Sequence, residues 1–396
     1  MASAQPHLQR VTLRHYKSIQ EAVVDLDRLT LLVGPNGAGK SNFLDALVFI
    51  HDCVTESVHH AFSRRGGISA VRRHSAGHPT NVGLGLTVAL ADGRTATYRF
   101  DIAARKGEAF AVVREDCSIV GAPGEEFAFS VRSGEFMHPV EGIRPHLAAD
   151  RLALPAVSAL EEAQPLFDFI SSLKVYSIVP KAMRELHDTD ESAGVHHLAP
   201  DGRNAASILR RLMVEQPQVY DHVCDVLSSA VPGMHSVEPR QVGRWEHIEF
   251  RKDVGTSHPW RFEGLNASDG TLRLLGLLLA VYQPSPVPLL GIEEPETSVH
   301  PALAERILDV LRDAAATRQV IATTHSPDLL DAHELPADAI RYVDSVQNRT
   351  VISRLNATTR GIVRDRLYTV GELMRDRELQ GDTEEANLLA RQHPLF

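Results

Sequence analysis

One stretch of the sequence, GPNGAGKS at residues 34–41, constrains the fold more than any other. It follows an apolar run at 29–33 and precedes an apolar, helix-like segment at 42–50, so we expect it to join a strand to a helix. Glycines let the backbone curl its N–H groups around an anion, because residues with a Cβ resist the dihedral angles that this requires. The spacing therefore predicts a phosphate-binding loop.

The residues expected to contact the phosphates of a nucleotide are those of this loop and of the helix start: Asn36, Gly37, Ala38, Gly39, Lys40, Ser41 and Asn42. Lys40 supplies positive charge to the β and γ phosphates, and the Ser41 hydroxyl is expected to hold Mg²⁺. The helix that starts near Asn42 adds N–H groups that attract an anion. The alternative is an ordinary glycine-rich turn. That alternative gives no reason for a lysine at position 40, between a strand and a helix.

Composition excludes several classes of protein. At 396 residues the chain suits one large domain with an insertion or two smaller domains. A formal net charge of −10 argues against a broadly basic surface, so nucleic-acid binding is not implied and would need a local patch or a dimer groove. Three widely spaced cysteines and no apolar segment of bilayer length predict a cytoplasmic protein with no disulfide framework and no membrane span.

Basic residues are concentrated in a loop after the first helix, at Arg64, Arg65, Arg72, Arg73 and His74. They are interpreted either as a contact for nucleic acid or nucleotide, or as a solvated loop. We favour the solvated loop, since clusters of charge usually face water.

Hydrophobic periodicity divides the rest of the chain. Short alternating runs at 82–88, 96–102 and 109–113, separated by Asp92-Gly93 and Lys106-Gly107, predict antiparallel hairpins. Helical periodicity follows at 152–173 and 204–230, where Pro217 suits a first helical turn. We therefore expect an N-terminal part at residues 1–134, a mainly helical insertion or lid at 135–260, and a C-terminal part at 261–396.

Acidic residues follow a second apolar run. Residues 287–292 end in Glu293-Glu294-Pro295-Glu296, the pattern of a buried parallel strand that delivers carboxylates to its C-terminal edge. Glu293 is expected to bind Mg²⁺, directly or through water, and Glu294 to orient or deprotonate the water that attacks the γ-phosphate. The alternative is an acidic first turn of a helix. We favour the catalytic interpretation because a phosphate-binding loop lies upstream.

Two further sites are expected to contact the nucleotide. Ser268 and Gly270 precede the strongly apolar helix predicted at 272–282, where a hydroxyl and a glycine N–H would make a second anion site, as required when a nucleotide lies between two subunits. Alone, this pattern is also a common helix cap. His325 follows the strand predicted at 319–324, where it is expected to contact a phosphate oxygen or the attacking water.

The order GPNGAGKS, ASDGT, LLGIEEPE, TSVHP and TTHSPDLL resembles the ATP-binding-cassette ATPases, in particular the stand-alone prokaryotic AAA family ATPases of the SMC- and RecF-like branch, related to the ATPase part of OLD-family proteins. The resemblance covers residues 13–355. It implies an α/β cassette head, with a mixed or parallel core sheet, helices, an antiparallel β subdomain and a mainly helical insertion. It assigns 34–41 to Walker A and 268–271 to the signature. Glu293 becomes the Walker B acid, Glu294 the catalytic glutamate, 297–300 the D-loop and His325 the switch histidine.

The resemblance also implies ATP and Mg²⁺ as ligands and a homodimer or higher oligomer as the active form. The function we favour is an ATPase whose dimerisation controls a separately encoded effector, with a nuclease as one candidate, in phage defence. The alternatives are a DNA-repair or maintenance clamp and an ATP-binding scaffold with negligible turnover. About seventy residues follow His325, and they hold no convincing pair of acidic strand-end motifs, so a fused nuclease domain is not expected.

Overall fold

The computed structural model describes residues 5–73, 81–138, 140, 147–189, 196–255, 259–331 and 335–393. The chain divides into two compact units. Unit 1 contains Met1–Leu173, Leu335–Tyr368 and Asp376–Phe396, and unit 2 contains Lys174–Glu334 and Thr369–Arg375. Both units therefore draw on segments that are distant in sequence.

Within the described residues the strands are β1 His7–Tyr16, β2 Ile19–Asp25, β3 Leu29–Val33, β4 Val82–Ala89, β5 Thr95–Ala104, β6 Phe110–Val120, β7 Glu126–Arg132, β8 Glu135–Phe136, β9 Lys174–Tyr176, β10 His187–Asp188, β11 Met234–Val242, β12 Trp245–Lys252, β13 Trp260–Glu263, β14 Leu289–Glu293, β15 Gln319–Thr324, β16 Ile340–Val346 and β17 Arg349–Ser353.

The α-helices of the same residues are α1 Lys40–Thr55, α2 Val58–Ser63, α3 Ile68–Val71, α4 Leu154–Val157, α5 Gln164–Ser172, α6 Pro180–Arg184, α7 Ala205–Glu215, α8 Pro217–Ala230, α9 Asp269–Tyr282, α10 Ala304–Thr317, α11 Ala357–Arg364, α12 Val370–Arg375 and α13 Thr383–Gln392.

The strands of unit 1 form a sheet in the order β8-β7-β6-β5-β4-β1-β2-β17-β16-β3. Neighbours from β8 to β2 are antiparallel, whereas β17 is parallel to β2 and β16 is parallel to β3. The antiparallel part contains the predicted hairpins, because alternating side chains bury one face of each strand. Strand β3 is held by its parallel pairing with β16 and ends at Val33, directly before the glycine-rich loop.

An aromatic cluster fixes α1 of unit 1. The rings of Tyr16 and Phe49 lie 5.6 Å apart edge to face, and those of Phe49 and Phe62 lie 5.0 Å apart. All three side chains are almost completely buried, so the helix that follows the glycine-rich loop is packed by large apolar surfaces. The Tyr16 hydroxyl donates to Asp45 on α1 at 2.6 Å.

Unit 2 contains a parallel set of strands in the order β15-β14-β9 and an antiparallel sheet in the order β10-β12-β11, with β13 paired to β12. Nearly all of β14 and β15 is buried, which agrees with the apolar residues at 289–292 and 320–322. Helix α9 is buried on almost every face, as its uniformly apolar sequence predicts.

The mixed α/β fold with an antiparallel β subdomain is confirmed. The segment 135–260 is less uniform than expected, since it contains β8 to β12 and the first residue of β13 in addition to α4 to α8. The compact units divide between Leu173 and Lys174, whereas the expected parts divide at 134 and 260. The reason is that β9 pairs with β14, which attaches the chain after residue 173 to the C-terminal strands.

Candidate functional site

The glycine-rich loop of unit 1 lies between β3 and α1, as the sequence predicts. Its shape depends on Gly39, the N-cap of α1, whose φ of 106° is rarely adopted by residues with a side chain. A Cβ at Gly39 would also lie 2.1 Å from Thr350 Oγ1. Pro35, Asn36 and Gly37 at the tip are exposed, so the tip of the loop is accessible.

Lys40 is held inside the loop. The residue is 4% exposed, and its ammonium donates to the carbonyl oxygens of Gly34 at 2.8 Å and Pro35 at 3.1 Å. A buried ammonium needs such acceptors, and a phosphate oxygen is an equivalent acceptor that also carries charge. Ser41 is exposed and Asn42 half-buried at the start of α1, so the predicted phosphate-binding residues follow one another along the loop and the first turn of the helix.

A chain of hydrogen bonds that the sequence analysis missed supports this loop from behind. Asn42 Nδ2 donates to Ser18 Oγ at 2.7 Å, Ser18 Oγ lies 2.6 Å from Thr350 Oγ1, and Thr350 Oγ1 donates to the Ala38 carbonyl at 2.7 Å. Because the single Thr350 proton goes to the carbonyl, Ser18 donates to Thr350. Ser18 and Thr350 are 332 residues apart, and no local pattern identifies such a pair.

Two arginines of the loop after α1, Arg65 and Arg73, fit neither interpretation drawn from the sequence, whereas the side chain of Arg64 is exposed, as a solvated loop predicts. The side chain of Arg65 is 9% exposed and forms ion pairs with Asp45 and Asp52, both at 2.9 Å. Arg73 donates to the backbone oxygens of Ser18 at 2.6 Å and Asn348 at 2.9 Å. These two arginines stabilise the surroundings of the loop instead of facing water, and His74 lies outside the described residues.

The acidic pair of unit 2 lies at the end of β14. Glu293 is the last residue of the strand and pairs in register with Thr323 of β15. Glu294 has a φ of 41°, and its N–H lies 3.1 Å from both the backbone oxygen and the hydroxyl of Thr323. A left-handed conformation in a residue with a side chain costs about 1 kcal/mol or more, so these bonds hold Glu294 in an unfavourable geometry.

His325 follows β15 and faces Glu294. Its Nδ1 atom lies 3.1 Å from Glu294 Oε1, within range of an ion pair. About a third of each side chain is exposed, so both side chains are accessible to a ligand, although the Nδ1 atom itself is buried and its contact with Glu294 lacks hydrogen-bond geometry. The structure thus brings together two of the predicted catalytic residues at the ends of adjacent parallel strands, the position where ligands bind in open α/β sheets.

The serine and glycine of the second predicted anion site lie at the N-terminus of α9. Ser268 is the N-cap, and its hydroxyl accepts from Thr271 N at 3.2 Å. A Cβ at Gly270 would lie 2.5 Å from the Ser298 carbonyl oxygen, so the helix start packs directly against the segment at 297–300. Arg184, which the sequence analysis missed, ties this region together by donating to Ala267 O at 2.8 Å and Asp269 at 2.5 Å.

Three residues outside the predicted catalytic set, His300, Asn204 and Gly371, make structural contacts. His300 caps the 3₁₀ turn Pro301–Leu303, since its Nδ1 accepts from Ala302 N at 3.1 Å. Asn204 is buried and bonds Ala199 N and His197 O. A Cβ at Gly371 would lie 2.2 Å from the Pro327 carbonyl, which places α12 against the turn after His325. Among the residues that the structure describes there is no further group of three or more metal-ligating side chains.

Comparison with known proteins agrees with this geometry. The chain matches a family model described as "AAA domain, putative AbiEii toxin, Type IV TA system" over residues 29–115 and 180–331, more than half of its length. It is 41% identical over 44 residues to the chromosome partition protein Smc of Methanocaldococcus jannaschii, a match that covers 11% of this chain and 4% of that protein. This chain therefore corresponds to a small part of its curated relative.

Solved structures show the same fold. An Smc head bound to the C-terminal winged-helix domain of ScpA aligns with a TM-score of 0.52 and 15% identity, covering 89% of this chain and 99% of the head. An Smc head with an extended coiled coil, bound to the C-terminal domain of ScpA from Pyrococcus furiosus, aligns with a TM-score of 0.54 and 12% identity, covering 91% and 99%. The structure also contains no helix, among the residues it describes, that is long and apolar enough to span a membrane. The family model shows that this chain belongs to the family so described, and the solved structures show that it has the fold of an Smc head.

Proposed function

We propose that this chain hydrolyses ATP in the presence of Mg²⁺ and that a head-to-tail dimer of it acts as a nucleotide switch for a separately encoded effector. The observation that carries the catalytic part is the pairing of Glu294 with His325 at 3.1 Å, at the ends of β14 and β15. A carboxylate held in a strained backbone conformation beside a histidine, both partly accessible, is the arrangement expected of a general base and its partner.

Each residue has a separate task in this proposal. The N–H groups of 36–42 and the Lys40 ammonium bind the phosphates, with Lys40 exchanging carbonyl oxygens for phosphate oxygens. Glu294 orients the attacking water and accepts its proton, and His325 keeps the carboxylate and the water aligned. Such a site performs little covalent chemistry of its own, since phosphoryl transfer depends mainly on positioning and on stabilising charge.

The donor set suits Mg²⁺. Ser41 offers an exposed hydroxyl and Glu293 a half-buried carboxylate, and both are the oxygen ligands that this hard cation prefers. We propose that these two side chains hold the ion. When bound, Mg²⁺ neutralises charge that develops on the phosphate oxygens.

The proposed dimer switch and the proposed effector are each supported by observations other than those that support catalysis. Ser268 is exposed at the N-terminus of α9, where its hydroxyl and the neighbouring N–H groups can meet the γ-phosphate of a nucleotide held by a second copy. The family description names a type IV toxin–antitoxin system, and both Smc heads were solved with a domain of another protein, ScpA. The family description and the two heads bound to ScpA support a separate partner. We also propose a cytoplasmic location and a role in phage defence, as the resemblance to stand-alone prokaryotic AAA family ATPases implies.

The DNA-clamp alternative has less support in unit 1. Arginines along the antiparallel strands are neutralised by neighbouring acids, for example Arg14 by Asp101 at 2.5 Å and Arg132 by Asp116 at 2.7 Å. Paired arginines release few counterions on binding a phosphate backbone, so they contribute little affinity for DNA.

The test is ATP hydrolysis and ATP binding by the purified chain and two variants. Lys40→Ala should abolish binding, whereas Glu294→Gln should keep binding and slow turnover roughly 100-fold to 10,000-fold, because it removes the base and leaves the phosphate contacts. Exposed residues provide matched controls, Lys106→Ala and Glu305→Gln, which should behave as the unmodified chain does. Equal loss of binding in the Lys40 and Glu294 variants would contradict the assignment.

A second measurement addresses the effector. The purified chain, incubated with ATP, Mg²⁺ and either DNA or RNA, should release phosphate without cleaving nucleic acid. Nuclease activity that persists through purification and disappears on a substitution outside the proposed ATP-binding residues would refute the switch.

A further inference from the structure

We infer that Glu296 is a positioning residue for catalysis, acting through the hydroxyl of Thr324 to hold His325 opposite Glu294. The inference rests on the proposed ATPase function and assigns a role to an acid that this function leaves unused. Glu296 belongs to the turn after β14, and Thr324 is the last residue of β15.

The contact between them is short and buried. Thr324 Oγ1 donates to Glu296 Oε1 at 2.6 Å, and the Thr324 side chain is completely buried. The same hydroxyl accepts from Ser326 N at 3.0 Å. A relay therefore runs from the Ser326 N–H through the Thr324 hydroxyl to the Glu296 carboxylate, and the acceptor at its end determines where the hydroxyl proton points.

His325 lies between Thr324 and Ser326 in the chain, and both of these residues belong to the relay. Its backbone is fixed on one side by Thr324 and on the other by Ser326, so the relay sets the direction in which the imidazole leaves the chain. Two backbone hydrogen bonds fix the turn that carries Glu294. Thr297 N donates to Glu294 O at 3.1 Å, and Val299 N donates to Glu296 O at 3.0 Å. The 3.1 Å separation of Glu294 and His325 thus depends on the Glu296–Thr324 contact.

Burying the Glu296 carboxylate is energetically unfavourable, and packing alone does not explain why an acid occupies this position. Glu296 is 9% exposed, and its second oxygen, Oε2, makes no hydrogen bond within the described part of the chain. Burial raises the pKa of Glu296, and the hydrogen bond from the Thr324 hydroxyl opposes this effect. A buried polar atom without a partner is destabilising, and such groups persist where function requires them.

The experiment compares two substitutions at Thr324, one that removes the hydroxyl and one that keeps it. Thr324→Val keeps the shape and removes the donor, so kcat for ATP hydrolysis should fall at least about tenfold, while KM and the Kd for ATP stay within about twofold. Thr324→Ser keeps the hydroxyl and should restore most of the lost turnover. Thr317→Val, on a threonine at the end of α10, is the matched control and should leave kcat unchanged.

Substitutions of the acid test the other end of the contact. Glu296→Ala should lower kcat as Thr324→Val does, and Glu296→Gln, whose amide oxygen can still accept, should retain more turnover than Glu296→Ala. The double variant Glu296→Ala/Thr324→Val should be no slower than the slower single variant, because both remove the same contact. If Thr324→Val does not fold, as judged by its melting temperature, the Gln and Ala variants of Glu296 provide the same comparison.

The possible results separate this inference from the proposed function. Unchanged kcat in Thr324→Val would overturn the inference, as would a Thr324→Ser variant impaired as strongly as Thr324→Val or a loss of ATP binding as large as the loss of kcat. Absence of hydrolysis by the unmodified chain would overturn the proposed function, and the positioning role would fall with it.

Discussion

Replacing Thr350 by valine tests whether the hydrogen-bond chain behind the glycine-rich loop controls nucleotide affinity. Thr350 is 3% exposed, and its hydroxyl makes two contacts, to Ala38 O at 2.7 Å and to Ser18 Oγ at 2.6 Å. Valine has nearly the same shape, so the substitution removes these hydrogen bonds without opening a cavity. The carbonyl of Ala38 and the hydroxyl of Ser18 then lose a partner in a buried environment.

The expected magnitude follows from these two contacts. A typical hydrogen bond contributes about 0.5–1.5 kcal/mol net, so the loss of two should lower the free energy of unfolding by about 1–3 kcal/mol. If the loop relaxes away from its binding geometry, part of that energy is also lost from binding. Since 1.4 kcal/mol corresponds to tenfold in an equilibrium constant, the Kd for ATP should rise at least about fivefold.

Urea unfolding and calorimetric titration with ATP measure the two effects on the full-length chain. Thr350→Ser is the matched control, because it retains the hydroxyl and loses only a buried methyl group, so it should lower the free energy of unfolding by about 1 kcal/mol and leave the Kd for ATP within about twofold. A Thr350→Val variant that unfolds and binds ATP as the unmodified chain does would refute the role of this hydrogen-bond chain.

Two further predictions concern burial and assembly. Burial raises the pKa of Glu115 to about 7 from an ordinary value of 4.5, so the folded state binds more protons between these values and the free energy of unfolding should fall by about 3 kcal/mol as pH rises through that window. Unfolding measured at several pH values should show this slope in the unmodified chain and lose it in Glu115→Gln. Mixing inactive Lys40→Ala and Ser268→Arg chains should restore ATP hydrolysis, because a mixed dimer retains one intact composite site. Mixed dimers without activity would contradict the composite site.

The strand-loop-helix around Lys40 could be predicted because every signal it needs is local. The apolar strand, the glycines and the helix start lie within about 25 consecutive residues, and each has its own physical requirement. The same is true of Glu293 and Glu294, which follow a buried strand directly. Pro217 begins α8 as expected, since its fixed φ and missing N–H suit a first helical turn.

Contacts between distant parts of the chain could not be predicted. Ser18 and Thr350 meet only because β17 pairs with β2, and nothing near either residue indicates that pairing. Glu296 and Thr324 meet because β14 and β15 are adjacent and parallel. A single sequence gives the ends of strands but not their neighbours, so it identifies catalytic candidates and misses the residues that position them.

One missed element did carry a local signal. Strands β11 and β12 form a hairpin in which Val242 pairs with Trp245 across Gly243 and Arg244. Gly243 has a φ of 61°, and glycine at the first position of a two-residue turn between alternating residues is a hairpin signal. The alternation in Trp245–Lys252 supports the same prediction, which the helical periodicity of the preceding segment obscured.

Ser268 and Gly270 each have a structural role as well as a proposed functional one, so loss of activity on removing either residue does not by itself identify a nucleotide contact. Ser268 caps α9, and Gly270 allows the close approach of Ser298 O. The variant Ser268→Asp separates the two roles at Ser268. Aspartate caps a helix as well as serine does and is favoured near a helix N-terminus, so the melting temperature should stay within about 2 °C.

A carboxylate at residue 268 would nevertheless repel an incoming γ-phosphate. Two negative charges about 4 Å apart cost about 1 kcal/mol in water and about 4 kcal/mol near a protein surface, so Ser268→Asp should slow ATP hydrolysis at least about fivefold. Ser57→Asp is the matched control, because Ser57 caps α2 by accepting from His60 N at 3.0 Å and has no proposed contact with nucleotide. If Ser268→Asp and Ser57→Asp hydrolyse ATP equally well, then Ser268 is a helix cap and the composite site loses its main support.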